Sequence, residues 1–115
     1  MTSPSETTLT NIQQAIRQFR DARNWRQFHS PKNLSMSIAI EAAELMEHFQ
    51  WRTTEESKKI IEKKRAEIED EVADVMIYLL SFANVCNIDL FEAVTKKIQH
   101  NQTRFPIEKV YGKFE

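Results

Sequence analysis

The sequence is short of glycine, proline and cysteine: 115 residues carry one, three and one of them respectively. With Gly112 as the sole glycine, neither a Walker loop nor a Gly-x-Gly-x-x-Gly turn exists, so any nucleotide phosphate is held without a glycine cradle. The single cysteine, Cys86, excludes an internal disulfide and a multi-cysteine zinc site. It fits a reducing, cytoplasmic compartment. Charge of one sign is not in excess either: Lys+Arg number 16 and Asp+Glu 17, a formal net charge of -1. The basic surplus of a general nucleic-acid binder is missing. Residues 1–10 are polar and lack the apolar run of a signal peptide. No stretch approaches the ~18 apolar residues of a membrane span. The most apolar segment, Val72 to Ile88, is interrupted by Asp74, Asn84 and Asn87. Neither nucleic acid nor a membrane is expected as a partner.

What is present indicates one helical domain over residues 1–115, with 1–7 flexible and 107–115 as a tail. The chain is 41% hydrophobic and 10% aromatic, which argues against disorder. So few breakers leave room for few turns, hence long helices. Leu9, Ile12, Ile16 and Phe19 recur at steps of three and four, predicting a first helix over about 8–27. Pro31 lies beyond its end. A second helix is expected from a cap at Asn33 or Ser35 to about Trp51. It is apolar nearly all round, the mark of a buried helix. Its apolar faces exceed what neighbours from one short chain can cover, so oligomerisation is expected. Thr53 and Glu56 form a capping-box pattern, and 54–86 is one long helix or two joined near 63–65. Asn87 is a terminator. Asp89-x-x-Glu92 opens a fourth helix, from Leu90 to about Gln102. The fold class is all-α: four main helices in an antiparallel bundle completed by oligomerisation.

Chemistry concentrates in two acidic pairs. Glu41 and Glu44 share a face of the second helix, and Ile38, Ala42 and Leu45 crowd Glu41. Glu71 and Asp74 repeat the spacing where the next helix turns from charged to apolar. Ionised carboxylates are costly in apolar surroundings unless paired or metal-bound. Two such pairs on antiparallel helices converge only around cations, and hard oxygen ligands select Mg²⁺, with Mn²⁺ as a substitute. A ferritin-like di-iron site requires Glu-x-x-His pairs. The positions three after Glu41 and Glu71 are acidic instead, and His48 has no counterpart near Asp74, so His48 is assigned to surface or interface. Glu47 is assigned to the surface as well.

Four strings in order resemble a known family. Glu41-Ala42-Ala43-Glu44-Leu45-x-Glu47-x-Phe49-Gln50-Trp51 and Glu71-Val72-Ala73-Asp74-Val75-x-Ile77-Tyr78-Leu79 resemble the Glu-x-x-Glu and Glu-x-x-Asp signature of MazG-like nucleoside triphosphate pyrophosphohydrolases. Phe28-His29-x-Pro31-x-Asn33-Leu34 and Lys97-x-x-x-Asn101-x-x-Arg104-Phe105-Pro106 resemble the branch containing dCTP pyrophosphatases, which often has Tyr where Phe105 stands. The likeness covers about residues 20–106. It implies an all-α homo-oligomer, a tetramer rather than a dimer. It implies Mg²⁺-dependent cleavage of a nucleoside triphosphate, dCTP or a related dNTP, between the α- and β-phosphates, as nucleotide-pool house-cleaning. By motif, Glu41, Glu44, Glu71 and Asp74 would be the catalytic metal ligands. Lys97, Asn101 and Arg104 would meet phosphates or sugar, and Trp25, His29, Trp51 and Tyr78 would surround the base. Two rival readings are a phosphoribosyl-ATP pyrophosphatase and a catalytically silent helical interaction module. The Phe28-His29 and Phe49-Gln50-Trp51 strings argue against the first, and the complete acidic quartet against the second.

Overall fold

The computed structural model describes residues 8–113; the expected flexible segment 1–7 lies outside them. Among the described residues every regular element is helical. In chain order these are α1 (Leu9–Ala22), a short 3₁₀ turn (Arg26–Phe28), α2 (Pro31–Glu47), α3 (Thr54–Lys63), α4 (Arg65–Cys86), α5 (Leu90–Arg104) and a one-turn α6 (Ile107–Val110).

Helix boundaries follow from caps. Thr8 accepts from Asn11 N–H and opens α1. The helix stops at Ala22 rather than near Gln27, because Asn24 turns left-handed at φ 55°. Trp25 N–H then reaches Arg20 O and Asn24 N–H reaches Asp21 O, which satisfies two of the last carbonyls of α1. Ser30, not Asn33 or Ser35, caps α2, with Pro31 in the first turn where its missing N–H costs nothing. Helix α2 ends at Glu47, short of Trp51, and the chain turns before Thr53 and Glu56 close a reciprocal capping box on α3. A break at Lys64 divides 54–86 into α3 and α4. Asn87, left-handed at φ 55°, terminates α4.

Helix α4 is the centre of the fold; α2 packs most extensively on it, then α1, then α3. Both α1 and α2 run antiparallel to α4. Gln13 and Arg17, in the second and third turns of α1, bond Asn84 near the end of α4. His48, just past α2, faces Glu71 near the start of α4. Leu34, Ile60, Ile68, Leu80 and Ala83 form the buried core. Two expectations need correction within the single chain. Helix α2 buries only Leu34, because α4 covers just one of its faces and Met36, Ile40 and Met46 stay exposed. The fourth bundle member, α5, instead leaves α4 at 104° and makes no extensive packing with any other helix. Among the described residues no single helix is long and apolar enough to cross a membrane.

Candidate active site

The antiparallel pairing of α2 with α4 places Glu41 and Glu44 opposite Glu71. One carboxylate oxygen from each lies within 4.8 Å of the others. All three residues are half-buried. Oε2 of Glu41 and Oε2 of Glu71 are buried with no hydrogen-bond partner, a costly state for carboxylate oxygens. Burial pushes the Glu41 carboxyl above its ordinary range, helped by a hydrogen bond with Glu44 and by the charges of Glu44, Asp74 and Glu71. Burial likewise raises Glu71, with Glu44 adding to the shift and His48 opposing it. His48 Nε2 lies 3.9 Å from Glu71 Oε1, an ion pair when the imidazole is protonated. Asp74 is more exposed and stands outside the tight group, but its charge reaches both Glu41 and Glu71.

This arrangement fits a small hard cation. Its candidate ligands are all carboxylate oxygens, one from each residue lying within 4.8 Å of the others, and Glu41 and Glu71 each carry a buried oxygen with no other partner. Glu41, Glu44 and Glu71 are the residues positioned to hold it, with Asp74 one turn further along α4.

Two cavities flank the acidic group. One, of about 650 Å³, is lined by Glu44, Glu71, His48, Trp51, Arg52 and Lys64, with Glu47 at its wall. The other, of about 250 Å³, lies between α1 and α4 and is lined by Trp25, His29, Tyr78, Phe19 and Arg20, with Asp74 on its wall. The aromatic residues expected around a base are therefore divided. Trp25, His29 and Tyr78 share the smaller cavity, whereas Trp51, 87% exposed, borders the larger. Phe19 and Trp25 meet edge to face at 5.7 Å. His29 Nδ1 is buried without a partner, and burial plus the nearby Arg20 charge hold His29 below its ordinary pKa. Lys97, Asn101 and Arg104 sit on α5, away from the quartet, and line neither cavity.

Among the basic residues at these cavities, Arg20, His48, Arg52 and Lys64 were not assigned to the site from the sequence. Arg20 had a signal, since it falls four residues after Ile16, on the apolar stripe of α1. Glu47 is exposed, yet it borders the larger cavity.

The MazG-like family model matches residues 36–113, the stretch that carries both acidic pairs. The chain belongs to the MazG-like family. It is 38% identical to dCTP pyrophosphatase 1 of Bos taurus over 110 residues, covering 94% of this chain and 65% of that protein. It is 39% identical to dCTP pyrophosphatase 1 of Homo sapiens over 103 residues, covering 88% of this chain and 61% of that protein. The chain thus spans a little under two-thirds of the length of these curated relatives. A crystal structure of a pyrophosphatase from Archaeoglobus fulgidus superposes with a TM-score of 0.83 at 40% identity, covering 92% of this chain and 99% of that one.

Proposed function

We propose that this MazG-like chain is a nucleoside triphosphate pyrophosphohydrolase acting on deoxynucleoside triphosphates, dCTP foremost, in nucleotide-pool house-cleaning. The observation that carries this reading is the convergence of Glu41, Glu44 and Glu71, with unpartnered carboxylate oxygens, beside an aromatic cavity that shares Asp74. That the relatives are dCTP pyrophosphatases supports dCTP. Glu41, Glu44, Glu71 and Asp74 would hold Mg²⁺, or Mn²⁺ in its place. Bound there, such a cation supplies charge neutralisation for the triphosphate and makes water a better nucleophile.

The protein's own task is positioning, which dominates catalysis of phosphoryl transfer. Trp25 and Tyr78 offer ring faces for a base, which displaces water from them as it stacks. The α-phosphate of a nucleotide seated there falls toward Asp74 and the acidic group. Water adds to the α-phosphorus and gives up a proton to solvent, the bond from that phosphorus to the α–β bridging oxygen breaks, and the oxygen leaves as part of pyrophosphate. Trp51, Arg52 and Lys64 border the larger cavity on the other side of the quartet, where the departing phosphates have room.

We also propose that a second copy completes the site. A compact 115-residue domain has a radius of gyration near 13 Å, whereas this chain measures 17.5 Å. Its accessible surface is 9502 Å², against about 6,600 Å² for a globular monomer of this mass. The surplus is of the size that obligate interfaces bury. Phe91 and Ile107, at 77% and 75% exposure, lie on the unpacked C-terminal helices together with Lys97, Asn101 and Arg104. Docking α5 on a second copy would cover the former and carry the latter toward a substrate. The tetramer rests on the family resemblance, and a cytoplasmic setting on the free Cys86 and the substrate.

The test is hydrolysis of a nucleotide panel in ¹⁸O water with product identification. Nucleoside monophosphate and pyrophosphate in equal amounts, label only in the monophosphate and loss of activity with chelator are expected. Release of orthophosphate and a diphosphate refutes the reaction assigned.

A further inference from the structure

Arg20 is the one strongly buried charged residue among the described residues, at 6% exposure. Such burial is rare for arginine without full pairing. Its Nε donates to Asp21 Oδ1 at 2.9 Å, an acidic partner that is itself largely exposed. Among the described residues, Nη1 and Nη2 meet no hydrogen-bond acceptor. The side chain lines the smaller cavity with Trp25, His29 and Tyr78. That cavity, at about 250 Å³, falls just below the usual range of ligand pockets, 300–1,000 Å³. Its size suits a single-ring base. Arg20 therefore brings a guanidinium whose terminal nitrogens have no protein acceptor among the described residues to the wall of an aromatic-lined cavity.

We infer, resting on the function proposed above, that Arg20 reads the hydrogen-bonding edge of the base and selects cytosine over thymine and uracil. Cytosine presents two adjacent acceptors, N3 and O2. They match the parallel N–H pair of a guanidinium much as the two oxygens of a carboxylate do. Thymine and uracil carry a hydrogen on N3 and so set a donor against a donor. Once the bound base has displaced water from the cavity, that mismatch leaves an N–H of Arg20 without a partner, which is how sites built for hydrogen bonding reject close analogues. His29 Nδ1, buried and unpartnered on the same cavity, is the available second polar contact and, as an acceptor, suits the exocyclic amine of cytosine. Asp21 keeps the fork in orientation by occupying Nε, which leaves only the terminal pair free to face the base.

The experiment compares kcat/KM for dCTP, dTTP and dUTP in the wild type, R20K and R20M. R20K keeps the charge and stem but not the fork. Both variants should lower the dCTP-to-dTTP ratio by about 10–100-fold, the worth of a bidentate base contact. The loss should lie mainly in KM for dCTP and should exceed any loss for dTTP. A ligand-side arm needs no variant: dCTP methylated at N3 should lose a similar factor on the wild-type enzyme. If dCTP is hydrolysed but the ratio is unchanged, or all three nucleotides weaken equally, Arg20 does not read the base and the inference falls while the function stands. If no triphosphate is hydrolysed, the functional reading has failed instead. Calorimetric binding of dCMP against dTMP to wild type and R20M then decides base reading by itself. Preference for dCMP that R20M abolishes supports it, and equal binding overturns it.

Discussion

Replacing Glu41 by glutamine should act in opposite directions with and without Mg²⁺. In the wild type, Mg²⁺ at one hundred times its dissociation constant adds about 2.7 kcal/mol by mass action. A chain of 115 residues unfolds with an entropy near 0.24 kcal/mol/K, so Tm should rise by roughly 10 °C. Glu41→Gln removes one of the three converging carboxylates, and the Mg²⁺-induced rise should shrink to about 3 °C or less. In chelator the variant should melt higher than the wild type, because a carboxylate crowded by Glu44, Glu71 and Asp74 is gone. The pH dependence carries the same sign. Glu41 and Glu71 have raised pKa values when folded, so the folded state holds protons the unfolded state has lost. Their contribution to metal-free stability is thus fullest at acid pH and is lost as pH rises through the raised values. Asp21 and Glu56, both lowered, contribute in the other direction, so the informative quantity is the difference between the two proteins. That difference should grow in favour of the variant as pH rises through the raised range. Circular-dichroism melts in chelator and in Mg²⁺, from acid to neutral pH, measure it. An equal Mg²⁺ shift in both proteins, or a variant that loses stability relative to wild type as pH rises in chelator, would refute the cation site.

The other expectations are simpler. Turnover should vanish in Glu44→Gln and Asp74→Asn with helicity intact, while Glu55→Gln, an exposed carboxylate paired only with Lys58, keeps wild-type rates; steady-state pyrophosphate release checks all three. Trp25→Ala should weaken nucleotide binding by about 1–3 kcal/mol if the ring stacks on the base, and alter base ranking; Trp51→Ala, on the other cavity, should alter ranking less. Static light scattering at micromolar concentration should give a multiple of 13.6 kDa, and a stable monomer would refute completion by a second copy. Asn24→Ala should cost about 1 kcal/mol in urea unfolding, because alanine resists the left-handed backbone that ends α1.

The acidic quartet was legible because spacing alone places Glu41 with Glu44, and Glu71 with Asp74, on shared helical faces. Which oxygens approach one another depends on the register of α2 against α4, and no periodicity encodes that register. The result is a tight trio with Asp74 turned toward the neighbouring cavity. Capping chemistry was legible where side chain and backbone act within four residues, as at Thr53 with Glu56. It was less so where the backbone alone decides. Asn24 and Asn87 take the same left-handed turn, yet only Asn87 followed an apolar segment whose end drew attention to it.

The direction of α5 depends on where its apolar stripe finds a partner. Phe91, Val94 and Ile98 sit at helical spacing, a pattern that indicates burial but not the surface that provides it. A four-helix bundle within one chain and a helix extended toward a second copy satisfy that pattern equally. The deciding constraint is the turn at Asn87 to Asp89: the left-handed residue ends α4, Asp89 caps α5, and the axis swings through 104°. A turn of that sharpness carries α5 away from α1 and α2 instead of back along them. Lys97 and Arg104 are carried with it. The cations resembling phosphate ligands and the carboxylates resembling metal ligands are thereby separated within one chain, and a partner chain is the economical way to reunite them. Catalysis would then depend on assembly. Mixing Glu41→Gln protein with Arg104→Ala protein, each inactive alone, should restore part of the activity if subunits exchange, because some mixed sites would contain both intact halves; mixed oligomers that remain inactive would place both residues in the same chain's site.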